Sequence, residues 1–477
     1  MLIIIIIWTL CFLPAYAAAE TMHEYTVRID PELASIDVEA RFSEPVRRIS
    51  ARDRNASRYL LDASDCEAGR SLNRSQWGMT LSGRGTRCLR YRVDLRRAAQ
   101  DDRRNAQLSK TNVLVSASLW LWRPRGGPDL DIRFDVEDGE RVSVPWQPVG
   151  TGRYRLSESP GSGRAVTAFG DFYSAEPEVA DTRLRIAIMK PRREIDSDGL
   201  EGWLVETARN ITLSYGRFPN PSPQVLVIPT NSWGISPVTF GRVLRDGGES
   251  IELFVNTRRP IAEFREDWTA THEFSHLMLP YVTIRQRWVS EGFAQYYQNV
   301  LLARAGIYDA QKAWQKLYEG FERGRVSRPE LSPNNASRNR ASGSLMKIYW
   351  SGAAMFMKAD VELRRRSGGA KSLDNVLDDM QRCCLPSPRV WTAEELFRKL
   401  DTLVDEPLFM PLYRRYADAP GFPDYRKTFD ELGLTVRRDT VYLNDSAELA
   451  GLRDSITEVP VSTVIGASGT DKRPALR

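Results

Sequence analysis

Two of the three histidines in this 477-residue chain fall inside one five-residue segment, His272-Glu273-Phe274-Ser275-His276. Residues four apart on a helix share a face about one turn apart, so both imidazoles can reach a single metal ion. Glu273 follows the first histidine and projects beside such an ion rather than onto it. There its carboxylate can take a proton from an attacking water and deliver it to a leaving amine. With histidine this scarce, an accidental His-Glu-x-x-His match is expected on the order of once in a thousand such chains. That sets aside the bland reading, two surface histidines on an amphipathic helix. His23, near the amino terminus, reads as a solvated residue.

A catalytic zinc takes three protein ligands and leaves a fourth position to water. Glu291 follows His276 by fifteen residues, within Trp288-Val289-Ser290-Glu291-Gly292-Phe293-Ala294-Gln295-Tyr296-Tyr297. A lone glutamate on a helix usually faces solvent. The aromatic residues around this one argue for burial, and a buried carboxylate needs a partner, which a zinc ion would provide. Pro280 breaks the chain between the two segments and lets the second pack back across the first.

Together these motifs resemble the gluzincin metallopeptidases, above all the glycyl aminopeptidase family and more distantly the large neutral aminopeptidases. Tyr215-Gly216-Arg217-Phe218-Pro219 is similar to the segment ending the first helix of that catalytic domain. Lys347-Ile348-Tyr349-Trp350-Ser351-Gly352-Ala353 is similar to the segment carrying its catalytic tyrosine. The resemblance implies one zinc per chain held by His272, His276 and Glu291. It also implies Glu273 as general base, Tyr349 as donor to a developing oxyanion, and a peptide or protein as substrate.

One segment departs from the family. Its members carry a Gly-rich stretch with an acidic residue that grips the substrate's amino terminus. The counterpart here runs from Phe240 to Ile251 without that pattern. Gly248, Glu249, Ser250 and Ile251 are the candidate substrate-binding residues. Two readings stay open for Glu249, an amine grip and a turn cap, the turn being favoured. The strand expected over residues 250–255 would be the sheet edge on which an extended peptide adds. Such docking serves an aminopeptidase or an endopeptidase equally.

The elements that must position these residues suggest a multidomain chain: an N-terminal β-sandwich, a thermolysin-like α+β zinc domain and a helical bundle. Residues 20–175 alternate short apolar strands (25–29, 36–42, 113–121, 132–136 and 141–146) with Gly, Asp, Asn and Pro clusters. Residues 176–300 form the zinc subdomain, with strands at 184–189 and 225–228 and helices over 200–215 and 262–279. Residues 301–436 read as a helical subdomain and 437–477 as a partly ordered tail. Phe429-Asp430-Glu431-Leu432-Gly433-Leu434 is similar to the end of the family's bundle, and the forty or so residues beyond it are too few for the PDZ domain that often follows.

Composition narrows the function classes. Hydrophobic residues make up 42% and charged residues 27% of the chain, which excludes global disorder. The net charge of +5 arises from 67 basic and 62 acidic residues spread along the whole sequence, so no nucleic-acid partner is expected. An apolar run over residues 2–14, followed by Ala15-Tyr16-Ala17-Ala18-Ala19, reads as a signal peptide (1–19), with export to the periplasm or outside the cell. No stable membrane anchor is expected after its removal. Export permits disulfides. Cys66 and Cys88 could close a loop worth about 2–3 kcal/mol, while Cys383 and Cys384 could pair with each other, pair elsewhere or stay free. The alternative function is a catalytically inactive peptide-binding protein that keeps the gluzincin fold. The complete His, Glu, His, Glu set argues against it, because binding alone requires no general base.

Overall fold

The computed structural model describes residues 21–460 except 68, 71, 77, 82–83, 137–140, 158–164, 192–193 and 340–341. The expected signal peptide lies outside the described residues. Among them, no helix is long and apolar enough to cross a membrane.

The N-terminal region is rich in β-structure. A seven-stranded sheet has the central strands Leu130–Asp135, His23–Ile29, Ser35–Val46 and Thr86–Asp94, and a four-stranded sheet is centred on Val166–Gly170 and Asn112–Ser116. Along His23–Ile29 every second side chain is buried, the two-residue period of a strand with one face on a core. Val27, Val38, Tyr91 and Phe134 of the larger sheet share one core with Val113, Val115 and Phe169 of the smaller. Trp120 and Trp146 fill its centre, with ring centroids 6.1 Å apart. The Cys66–Cys88 disulfide ties this region, and Cys383 is bonded to Cys384.

Two expectations fail here. The strand expected over 113–121 stops at Ser116, whose Oγ accepts a hydrogen bond from the Ser118 N–H and starts a helical turn, Ala117–Trp120. His23 is not solvated. It is 1% exposed, its Nδ1 accepts from the Ser43 N–H at 3.3 Å, and its ring lies edge-on to Phe42.

Behind this region lies a five-stranded sheet in the order Phe172–Ala175, Arg185–Met189, Gln224–Thr230, Glu249–Asn256, Val238–Arg245. The three middle strands run parallel and the last antiparallel. The expected edge strand, 250–255, is therefore interior. The hairpin at Asp246-Gly247-Gly248 folds Val238–Arg245 back along it as the true edge, with Gly247 at φ +74° where a side chain would be strained.

The helix Ser197–Thr212 starts earlier than its expected 200–215 span because the Asp196 carboxylate accepts from the Gly199 N–H at 2.8 Å. The single helix expected over 262–279 is divided into Ile261–Glu266, Thr269–Ser275 and a 3-10 turn, His276–Met278. Asp267 is extended, and its carboxylate accepts from the Thr269 N–H at 2.8 Å, which starts a new helix.

Beyond Pro280 the chain is mainly helical. Trp288–Arg304 and Leu345–Arg366 cross with Gly292 against Gly352, where a Cβ on Gly292 would lie 2.3 Å from the Gly352 Cα. A buried ionic cluster joins these helices to Leu373–Cys384. Arg304 pairs with Asp374 at 2.8 Å and Arg364 with Asp360 at 3.0 Å, while the Tyr296 and Tyr297 hydroxyls donate to Asp360 and Asp374. Arg304 Nε also donates to the Ile456 carbonyl. That bond fastens the helix Ala450–Thr457, in the stretch expected to be a partly ordered tail. Residues 437–460 complete a hairpin, Leu434–Arg437 with Thr440–Leu443, and this helix; residues 461–477 lie outside the described residues.

Removing one member of a buried ion pair leaves its partner charged and unpaired. Asp374→Ala is expected to lower stability by about 3–5 kcal/mol, read from the urea midpoint of the purified protein.

Candidate metal centre

All seven residues of Thr269–Ser275 are buried, between the edge strand and the helix Trp288–Arg304. His272 and His276 point the same way, with ring centroids 4.9 Å apart and ring planes perpendicular. Glu291, in the first turn of Trp288–Arg304, reaches both. Its Oε2 is 3.4 Å from His272 Nε2 and 3.6 Å from His276 Nε2. One ligand atom from each residue lies within 4.8 Å of the others, and this is the cluster of that kind among the described residues. Two imidazole nitrogens and one carboxylate oxygen, with no fourth side chain, are the donor set of a catalytic zinc site.

A further residue sets the first histidine. His272 Nδ1 is 2.9 Å from Gln298 Oε1. An amide oxygen only accepts, so Nδ1 carries the hydrogen and Nε2 keeps its lone pair toward the metal position. Gln298 follows Glu291 by seven residues, two turns along the same helix face. That spacing was the available signal in the sequence, but one glutamine in a polar and aromatic run does not announce its partner.

The charges are mutually arranged. Burial alone would raise the Glu291 pKa, but its hydrogen bonds to His272 and His276 outweigh this and hold its carboxyl far below the usual range. Burial works against a proton on His272, yet the Glu291 hydrogen bond and the Glu273 and Glu291 charges raise its pKa overall. Glu273 is raised by burial, opposed in part by the two histidines. Its side chain is confined by the edge strand, since a Cβ at Gly241 would lie 2.6 Å from Glu273 Cγ. No residue but glycine fits there with Glu273 in this position.

Tyr349, in the second turn of Leu345–Arg366, stands over the site with its ring centroid 5.8 Å from that of His272. Burial and the Glu291 and Glu273 charges keep its phenol protonated, opposed by Arg287. Trp268 also lies edge-on to His272, with ring centroids 5.6 Å apart, and is 43% exposed. His272, Glu273, His276, Glu291 and Tyr349 thus converge.

Gly248, Glu249, Ser250 and Ile251 do not join them. Ser250 and Ile251 are fully buried, and Gly248 packs on the Pro145 carbonyl. Glu249 accepts from Arg245 Nε at 2.8 Å, and Arg245 Nη2 donates to the carbonyls of His276 and Leu279. Glu249 therefore acts through Arg245, holding the carboxyl end of the metal-binding turn.

A family model for the M61 glycyl aminopeptidases matches residues 280–355, a window holding Glu291 and Tyr349 but not the histidines. Among curated proteins none matches the sequence. Solved structures are similar over most of the chain. An aminopeptidase N family protein from Idiomarina loihiensis aligns with a TM-score of 0.66 and 14% identity, over 87% of this chain and 79% of its own. A variant of an M1 zinc metallopeptidase from Deinococcus radiodurans, bound to a Tyr-Ser-Ala substrate, aligns with a TM-score of 0.53 and 13% identity, over 85% and 96%. At such identities the structural likeness establishes the fold. Together with the family model, it supports the resemblance to gluzincin metallopeptidases near the glycyl aminopeptidase family.

Metal binding is open to direct measurement. One zinc per chain is expected by elemental analysis, and Gln298→Ala should weaken zinc affinity about 10–100-fold, read by competition with a chelating dye. Because the His272 pKa is raised, the site holds a proton below that value which zinc must displace. Zinc affinity is therefore expected to fall as pH is lowered through it.

Proposed function

We propose that this chain is an exported zinc metallopeptidase, with His272, His276 and Glu291 as metal ligands, Glu273 as general base and Tyr349 as oxyanion donor. The observation that carries the reading is the convergence of three ligand atoms within 4.8 Å, with the Glu273 carboxylate confined beside them. A bound zinc ion supplies Lewis acidity toward water and the scissile carbonyl. Glu273, with its pKa raised by burial, takes the proton of the attacking water and passes it to the leaving amine. The Tyr349 phenol, held protonated, donates to the oxygen on which negative charge develops. An extended peptide reaches these groups by adding to the open side of Val238–Arg245, where Gly241 offers bare backbone.

Several observations support the wider reading. The family model spans Glu291 and Tyr349, and the Deinococcus structure holds a tripeptide substrate. Two β-sheets over one core suit a β-sandwich over residues 20–175. The five-stranded sheet with its helices suits a thermolysin-like α+β subdomain over 176–300, followed by a helical one over 301–436. The apolar leader and two disulfides suit an oxidising compartment, periplasmic or extracellular.

The test is cleavage of a mixed peptide pool, followed by mass spectrometry with and without chelator. Glu273→Gln is expected to retain zinc and lose turnover about 10²–10⁴-fold. Gly241→Ala should also retain zinc and lose turnover, because its Cβ displaces the Glu273 side chain. Zinc-loaded wild type that cleaves nothing would leave the inactive peptide-binding protein as the answer.

A further inference from the structure

Arg287 lies one turn before Glu291, and its carbonyl accepts the Glu291 N–H at 2.9 Å. Residues four apart share a helix face, so its side chain leaves the backbone on the side that carries Glu291 to the metal position. Its charge opposes those of Glu291 and Glu273 at the Tyr349 phenol. Yet it has no acceptor among the described residues. Arg287 forms no ion pair with them, and its Nε is buried without a hydrogen bond.

Two other cations are committed. Arg245 is held by Glu249 and two carbonyls, and Lys347 Nζ donates to the Gly421 carbonyl at 2.7 Å. The charge balance points the same way. Glu273 and Glu291 carry two negative charges, which a divalent ion would offset, and the Arg287 charge would then stand unbalanced. A half-buried guanidinium with unfilled donors is matched by a carboxylate, which its planar fork can bind through two parallel hydrogen bonds.

We propose that Arg287 binds a carboxylate of the peptide substrate and so makes this site selective for acidic ligands. The carboxylate is either the carboxyl terminus of a short peptide or an Asp or Glu side chain near the scissile bond. The proposal rests on the peptidase reading only for where the peptide lies. It differs from a role for Arg287 on the oxyanion, which would act on every substrate alike.

Binding separates it from turnover. Zinc-loaded Glu273→Gln protein is titrated calorimetrically with an alanine hexapeptide bearing a free or amidated carboxyl terminus, and with the amidated peptide carrying Glu or Gln at each position in turn. The expected result is at least tenfold tighter binding of the acidic member in one of the two series, and the series that responds identifies the source. Adding Arg287→Met should bring that ratio to within twofold, with Arg287→Lys intermediate, while zinc content and melting temperature show that the variants are folded. Equal binding of acidic and neutral members, no binding of the acidic ones, or a preference that survives Arg287→Met would overturn the proposal. Loss of the peptidase reading shows instead as zinc-loaded wild type that cleaves none of these peptides, whatever their binding.

Discussion

Two helices of the site, Trp288–Arg304 carrying Glu291 and Leu345–Arg366 carrying Tyr349, approach more closely than side chains normally allow. The crossing of Trp288–Arg304 with Leu345–Arg366 has a glycine on each side, and a methyl group on either would strike the other's backbone. Gly292 adjoins Glu291, and Gly352 lies three residues beyond Tyr349. The contact that sets the helix separation therefore also sets how far Glu291 and the Tyr349 phenol stand from each other. Close-packed interiors transmit such displacements rather than absorb them. About two to three turns further along, the Arg304, Asp374, Arg364 and Asp360 cluster ties these helices to Leu373–Cys384, with Arg364 shared between Asp360 and Asp374.

The other wall of the site is held by a different device. The edge strand presses on Glu273 through Gly241, and its hairpin end is braced by the N-terminal region. Trp146 Nε1 donates to the Asp246 carbonyl, and Arg52 pairs with the Asp246 carboxylate at 2.7 Å. From that braced end, Arg245 reaches the carbonyls of His276 and Leu279. A cation at the carboxyl end of a helix satisfies acceptors that would otherwise lack donors. The N-terminal region thus bears on the position of His276 through three residues of one turn, although it supplies no ligand.

What the sequence made legible follows the range of the interactions. The His272, Glu273 and His276 triplet was readable because a helix fixes its geometry locally. Glu291 was readable in part from its aromatic neighbours, since burial of a charge demands a partner, and more from the family resemblance of its segment. Gln298 was not, because its role depends on which way a second helix faces the first. The edge strand was misplaced by one position because Gly247 and Gly248 read as part of a glycine-rich loop, whereas they form the turn of a hairpin. The helix Ala450–Thr457 was missed because it owes its order to Arg304 and Arg364, some ninety to one hundred and fifty residues away. Burial of His23 has the same origin: nothing local distinguishes a terminal residue from one at the start of an interior strand.

The site therefore separates into parts with different tolerance. Glu291, Tyr349, Glu273 and His272 are each held by a specific contact: the glycine crossing beside Glu291 and Tyr349, Gly241 beneath the Glu273 side chain, and the Gln298 amide oxygen on His272 Nδ1. These contacts leave little freedom, and a change in any of them moves a reacting group. Two other residues are different: Trp268, edge-on to His272, keeps exposed surface, and Arg287, one turn before Glu291, keeps a donor unmatched by the fold. Unmatched groups cost stability unless something else fills them. Under the proposal made for Arg287, a bound peptide would fill them, and selection among substrates would fall to side chains that can change without moving His272, His276 or Glu291.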